Sequence, residues 1–215
     1  MLPSLSTLRI LSTGTPSTPL LEMSVREFKM ELYHAAVGLR EALDRLEDLQ
    51  NAFASAVVQF DALKKKTNKR VQLFRTWLDN HKHISDSAKK ILKQKVQDIE
   101  DVHKEWLGKK EENQTKISAL VVDQFGQELT KLKNELELLK QASDVVATNM
   151  PADKVDVYYA VMILSVGQRI TKITTDVLAQ KGPVSMFEHV VFDHENHLRL
   201  LYTELQDEIQ TSIYT

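Results

Sequence analysis

Residues 85–149 decide the fold, and they read SDSAKKILKQKVQDIEDVHKEWLGKKEENQTKISALVVDQFGQELTKLKNELELLKQASDVVATN. No proline interrupts this stretch, and most of its apolar residues are separated alternately by four and three positions. Such spacing places them on one stripe of a helix, the seam of a coiled coil. The seam residues are Leu92, Val96, Ile99, Trp106, Leu129, Leu132, Leu136, Leu139 and Val146. A helix of this length extends about 95 Å, whereas a compact chain of this size is about 45 Å across. The sequence therefore predicts a rod, unless the helix breaks.

The seam of this second helix is irregular at two places. Between Ile117 and Leu129 the spacing becomes four, four and four, a stutter that locally unwinds a left-handed supercoil, and Gly126 allows a bend there. The other place is Gly108, which is followed by polar residues up to Gln114. A break there would give a bundle of four or five shorter helices, but without a proline or a strong turn pair we favour the continuous helix. Four seam positions are polar: His103, Lys110, Asn113 and Ser143.

A first long helix is predicted over residues 22–80, because its apolar residues alternate by four and three for five heptads. These residues are Phe28, Leu32, Ala35, Leu39, Ala42, Leu46, Leu49, Phe53, Ala56, Phe60 and Leu63. The same count then reaches Thr67, Arg70, Phe74 and Trp77, so the helix is expected to continue through a basic segment. Residues 80–83, Asn-His-Lys-His, are interpreted as the reversal into the second helix.

Met150-Pro151 ends the second helix, because the residue before a proline disfavours the α conformation. The predicted stripe of the third helix consists of Val155, Tyr159, Met162, Val166, Ile170, Ile173 and Val177. After Lys181-Gly182-Pro183, a fourth stretch carries Phe187, Val191, His194, Leu198, Leu201 and Leu205 in register. The prediction is an all-α fold, an elongated antiparallel helical bundle or coiled coil of three long arms, with the third interrupted near Pro183.

Residues 1–21 differ from the rest, with three prolines, one arginine (Arg9) and no acidic residue before Glu22. They are predicted to be a disordered tail or a transit peptide, followed by a single helical domain over residues 22–215. The chain has no cysteine, which excludes disulfides and thiolate metal sites. We expect an intracellular, cytoplasmic protein, or a mitochondrial one if the tail is a transit peptide.

The charge balance is nearly even, with 28 basic and 30 acidic residues and a net charge of −2. Dedicated nucleic-acid binders are usually basic as a whole, so nucleic acid is not expected as a partner. The longest apolar run, Tyr158 to Gly167, is too short to span a bilayer. Any affinity for an anionic surface must therefore come from a local patch.

Two Glu-x-x-His pairs, Glu31…His34 and Glu100…His103, have the spacing that carboxylate-bridged metal bundles use. In antiparallel arms these pairs lie about 40 Å apart, so no shared metal site is expected. A second cluster is interpreted as one seam histidine, His194, with solvated polar neighbours; its other members are His189, Asp193 and His197. No glycine-rich phosphate loop and no catalytic motif occurs, so neither an enzyme nor a cofactor is expected.

A basic cluster follows the last regular heptad of the first helix: Lys64, Lys65, Lys66, Lys69 and Arg70. A second group lies just beyond the predicted reversal: Lys89, Lys90 and Lys93. If the hairpin closes near residue 82, both groups lie at one end of the rod. They then either form a solvated face or bind an anionic membrane surface.

The sequence favours a non-catalytic coiled-coil scaffold, tether or structural subunit that binds protein partners through helical surfaces. Apolar residues beside the seams, such as Val57, Val58 and Leu138, call for a homodimer or hetero-oligomer to cover them. The arm lengths, the antiparallel layout and the basic end also resemble a BAR domain. That resemblance implies an alternative function, a homodimer that binds curved anionic membranes through its basic surface.

Overall fold

The computed structural model describes residues 22–149 and 154–214, and in these ranges the chain is almost entirely helical. The elements are α1 (Val25–Asn80), α2 (Asp86–Ser118), a π-helical segment (Ala119–Gln124), α3 (Phe125–Asn149), α4 (Val157–Ala179) and α5 (Lys181–Tyr214). Within the described ranges no strand forms, and Ser24 and Lys154 make an isolated bridge. The predicted all-α class is confirmed, whereas the predicted tail (residues 1–21) and the Met150-Pro151 helix end lie outside the described residues.

The first helix begins with a capping box. Ser24 Oγ accepts a hydrogen bond from the Glu27 backbone N–H at 3.2 Å, and the Glu27 carboxylate accepts one from the Ser24 N–H at 2.9 Å. The Glu27 carboxylate accepts hydrogen bonds from both the Ser24 N–H and the Ser24 hydroxyl, and these two bonds lower the pKa of Glu27. From Phe28 to Leu63, all eleven predicted seam residues are buried, so the seam prediction for this part of α1 is confirmed.

Beyond Leu63 the seam prediction for α1 is wrong by one position. Thr67 is buried as predicted, but Val71 and Leu78 then occupy the core in place of Arg70 and Trp77. Arg70 is exposed, and the rings of Phe74 and Trp77 are half-buried. A shift of one residue buries two aliphatic side chains and leaves the guanidinium in water, where a charge is far less costly.

The second helix runs without a break through Gly108. It begins after Ser85, whose hydroxyl accepts a hydrogen bond from the Ala88 N–H, so the predicted reversal at residues 80–83 is confirmed. Gly108 is exposed inside α2, and a Cβ added to it would meet no atom within 4 Å. The alternative of a break at this glycine is therefore wrong.

The π-helical segment lies within the predicted stutter, between Ile117 and Leu129. A four-residue spacing exceeds the 3.6 residues of an α-helical turn, and the wider π turns keep Val121 and Phe125 buried despite this excess. The Val121 carbonyl accepts a hydrogen bond from Gln50 Nε2 of α1 at 2.9 Å. Gln50 thus supplies a partner for a backbone group within the irregular turn.

The chain divides into two compact units, and the predicted single domain stays a prediction. Unit 1 contains the described residues up to Leu46 together with Gln124–Leu178. Here the Val155 N–H donates to the Met23 carbonyl at 2.9 Å, and a Cβ on Gly38 would lie 3.2 Å from Ile170. Arg169 of α4 also pairs with two glutamates of α3, Glu128 and Glu135, each at 2.7 Å.

The start of the α4 stripe differs from the prediction. Ala160 and Ile163 are buried, whereas Tyr159 and Met162 are half-buried beside them. A tyrosine at the edge of the stripe keeps its hydroxyl near water while its ring still packs. From Val166 onward the predicted stripe of α4 is confirmed.

Unit 2 contains Glu47–Asp123 and the described residues from Ala179 onward. Helix α4 ends at Ala179 and α5 begins at Lys181, so the predicted interruption near Pro183 is confirmed. Pro183 lies in the first turn of α5, where a missing N–H removes no intrahelical bond. The buried stripe of α5 follows the prediction except that Tyr202 replaces Leu201 and that Val184 joins it.

The continuity of α2 predicts the effect of Gly108→Ala. Because Gly108 lies exposed in a helix interior with free space around its Cα, we expect the free energy of unfolding to rise by about 0.5–1 kcal/mol. Chemical denaturation of both proteins measures this difference. Gly38→Ala is the contrasting control, since its new methyl group crowds Ile170 and should give a smaller gain or a loss. Destabilisation by Gly108→Ala would contradict the continuous helix.

Candidate functional site

Three residues of the first basic cluster contact partners within unit 2. Lys64 forms an ion pair with Glu111 of α2, which raises the pKa of Lys64. Lys66 lies 2.7 Å from Glu195 of α5, and this hydrogen bond lowers the pKa of the Glu195 carboxyl. The Arg70 guanidinium lies over a tyrosine ring of α5. Carboxylates of the protein therefore match two of the five positive charges of this cluster, those of Lys64 and Lys66.

The remaining predicted basic residues lie apart from these contacts. Lys65 and Lys69 are exposed on α1, Lys90 is exposed and Lys89 is half-buried on α2. Lys93 lies 3.5 Å from Asp79, near the α1–α2 reversal. Because Lys64 pairs with Glu111, eighteen residues further along α2, about 27 Å of helix separates the two levels. The structure therefore does not bring the two basic groups together.

A pair of histidines lies in the core of unit 2. His103 Nδ1 and His194 Nε2 are 3.0 Å apart, and both side chains are buried. One of the two nitrogens must donate, so each neutral ring adopts a tautomer fixed by the other. Trp106 stacks on His194 with ring centroids 4.0 Å apart. The prediction of His194 as a seam histidine is confirmed, and its neighbours His189, Asp193 and His197 are exposed.

Burial keeps both histidines neutral at pH 7. It lowers the pKa of His194 to about 4, with smaller contributions from His103 and His197. Burial also lowers the pKa of His103, and the Lys64 ammonium lowers it further. Within the described residues, His103 Nε2 has no hydrogen-bond partner. An imidazolium here would be both desolvated and repelled, so protonation opposes folding.

A groove lies between α1 and α5 in unit 2, and its volume is about 640 Å³. We call it the α1–α5 groove. Its lining consists of Arg70, Leu73, Phe74, Thr76, Trp77 and Asn80 of α1, of His81 just after α1, and of Arg199, Tyr202, Thr203 and Gln206 of α5. None of these lining residues is acidic. The groove thus combines an apolar floor with two guanidinium groups.

Aromatic contacts give the α1–α5 groove its floor. The Phe74 and Tyr202 rings are nearly parallel, with centroids 6.1 Å apart. The Trp77 and His81 rings are tilted by 31° with centroids 4.1 Å apart, and His81 Nδ1 lies 2.8 Å from the Trp77 carbonyl. Arg70 lies 5.0 Å above the Tyr202 ring centroid, a cation–π contact. Each aromatic side chain is therefore held by a neighbour.

The sequence prediction missed this groove because it assigned Phe74, Trp77 and Leu201 to the seam. With Val71, Leu78 and Tyr202 in the core instead, the two aromatic rings of α1 move to the helix edge. The signal was present in the sequence, since Thr67, Val71 and Leu78 also share a helical face.

Comparison with protein-family models, with curated proteins and with solved structures gives no match. In the part of the chain that the structure describes, no helix combines the length and apolar character needed to cross a membrane. The same residues contain no group of three or more potential ligands that could hold a metal ion.

The histidine pair predicts a specific loss of stability in mild acid. Because the folded-state pKa of His194 is about 4 and the unfolded value is about 6.5, protons bind the unfolded chain first. The stabilisation is complete above about pH 6.5 and is lost as the pH falls toward 4. Between pH 7 and 5, the wild type should lose about 1–2 kcal/mol more unfolding free energy than the His103→Leu/His194→Leu variant.

The control for this prediction removes two exposed histidines, His34 and His189, by the same substitution. In denaturant unfolding, this control should lose as much unfolding free energy between pH 7 and pH 5 as the wild type does. Equal pH dependence in the wild type and the core variant would show that the buried pair does not cause it.

Proposed function

We propose that this protein is a non-catalytic scaffold, tether or structural subunit that acts through helix–helix surfaces, and that a partner helix binds in the α1–α5 groove. The observation that carries the proposal is the composition of the groove floor. Leu73 is 59 % exposed, and Phe74 and Trp77 are half-buried at its side. Grooves lined by such residues receive the apolar face of an amphipathic helix.

The energetic argument follows from the apolar area left in water. Fully burying a large apolar side chain is worth about 1.5–3 kcal/mol. Leu73, Phe74 and Trp77 are only partly buried, so each would gain part of this free energy when a partner covers it. Aromatic residues in a concave setting are also the side chains that dominate binding energies at interfaces. A helix in the groove would therefore gain several favourable contacts without a rearrangement of the core.

Other exposed apolar residues support association, as a homodimer or a hetero-oligomer. Val58 is 68 % exposed on α1 and Leu138 is 61 % exposed on α3, which are two of the side chains singled out in the sequence. On α5, Met186, Phe192 and Leu200 are each more than half exposed. Single exposed apolar residues are common, so the argument depends on the groove rather than on these positions.

The antiparallel three-arm layout belongs to the same proposal. Within unit 2, the α1–α2 reversal and the Asp79–Lys93 contact support the antiparallel direction of two arms. The contacts of Lys66 with Glu195 and of Phe74 with Tyr202 support a parallel course of α1 and α5. An intracellular, cytoplasmic location also remains part of this proposal.

Leu73→Asp tests the scaffold proposal. A charge on the groove floor should weaken the binding of an uncharged amphipathic peptide with a leucine stripe and glutamine flanks by about tenfold or more. Isothermal titration calorimetry of the full chain measures the affinity. Val58→Asp is the matched control, an exposed aliphatic residue of α1 outside the groove, and it should change the affinity less than about twofold. Equal losses in both variants, or no binding to the wild type, would reject the proposal.

The alternative of a BAR-like membrane module is tested by sedimentation with anionic vesicles. Because Lys64, Lys66 and Lys93 already lie against carboxylates, we expect little sedimentation even at low salt. Strong binding that salt removes, and that charge reversal at Lys64, Lys65 and Lys66 abolishes, would favour the membrane function instead.

A further inference from the structure

The charge of the α1–α5 groove defines the chemistry of its occupant. We propose that this groove binds an acidic amphipathic helix of another protein, about three turns long, with a leucine-type stripe facing the floor and carboxylates facing Arg70 and Arg199. The inference rests on the proposed scaffold function and specifies its partner.

The length of the groove sets the length of the occupant. Along α1 its lining extends from Arg70 to Asn80, with at least one lining residue in each turn, and His81 follows the end of the helix. At 1.5 Å per residue this part of α1 is about 15 Å long, or three turns of a bound helix. On the other side, Arg199 to Gln206 of α5 run alongside, so the occupant lies between two roughly parallel helices. A third helix in such a groove completes a common packing geometry.

The lining contains positive charge and no negative charge. Arg70 and Arg199 contribute two guanidinium groups, and none of the lining residues is an aspartate or a glutamate. Guanidinium groups bind carboxylates through two parallel hydrogen bonds. A helix with Asp or Glu beside its apolar stripe therefore fits, whereas a Lys-rich or Arg-rich helix is repelled.

The carboxylate beside Arg70 and Arg199, that of Glu195, already has a hydrogen-bond partner. Glu195 lines an adjoining depression with Lys66, Arg70 and Arg199, and it accepts a hydrogen bond from Lys66 at 2.7 Å. Three cations thus surround a single anion, which leaves an excess of two positive charges. Arg70 Cζ lies 5.0 Å from the Tyr202 ring centroid, and this cation–π contact does not neutralise the charge of the guanidinium.

Three synthetic peptides of about five turns test the proposal. They share one leucine stripe and carry Glu, Gln or Lys at the flanking positions, and calorimetry at low salt measures their affinity for the full chain. The Glu peptide should bind about tenfold or more tightly than the Gln peptide, and the Lys peptide should bind most weakly. Added salt should weaken the Glu peptide and leave the Gln peptide nearly unchanged.

Arg70→Gln/Arg199→Gln should reduce the affinity of the Glu peptide to that of the Gln peptide. The matched control is Arg26→Gln/Arg40→Gln, which removes the same charge from exposed positions of α1 outside the groove and should preserve the preference. If the control loses the preference equally, general charge attraction explains it and the inference is overturned.

The outcomes separate this inference from the scaffold function. If the Gln peptide binds and Glu brings no advantage, the acidic partner is wrong and the scaffold function stands. If no peptide binds, both are wrong. A chain that is dimeric by sedimentation and becomes monomeric on Leu73→Asp would identify a second copy as the occupant. Vesicle binding that is lost in the Arg70→Gln/Arg199→Gln variant would identify an anionic lipid, and either result overturns the inference.

Discussion

The burial of one apolar stripe along α1 is the constraint on which the structure depends. Its eleven regular seam residues lie between Phe28 and Leu63, and this single helix contributes to both compact units. At about 1.5 kcal/mol or more for each large side chain, the stripe outweighs any surface ion pair. The helices that pack on α1 must match its spacing, and the four-residue steps of the second helix are accommodated by the π-helical segment.

The histidine pair shows how a polar layer restricts this apolar arrangement. His103 and His194 form a hydrogen bond inside the core, and a shift of either helix by one residue would leave both rings without that partner. A buried polar pair therefore penalises wrong registers more than it stabilises the right one, as polar residues do in coiled-coil seams. Burial of both rings and the nearby Lys64 ammonium make this layer intolerant of added positive charge.

The sequence predicted the features that local physics controls and missed those that packing between helices controls. Long runs without proline and a four-three spacing of apolar residues were enough to place the helices. The spacing did not decide between Trp77 and Leu78, because apolar residues occupy both helical faces at that point. In unit 1, Ala160 is buried in place of Tyr159. The spacing allowed either residue, and the small apolar side chain is easier to bury than one that carries a hydroxyl.

The groove exists because the end of α1 carries two adjacent apolar stripes, and the neighbouring helices bury only one of them. Val71 and Leu78 are buried, and the stripe with Leu73 and Trp77 then remains at the edge beside α5. A helix that is apolar over more than one stripe gains stability from a further contact. Two guanidinium groups at the end of such a stripe make an uncharged cover less favourable than an acidic one, since only the acidic helix supplies their carboxylate partners. The two adjacent apolar stripes at the end of α1 thus explain both results. They are the reason that the spacing did not identify the buried residues, and they leave the exposed stripe to which an acidic helix is proposed to bind.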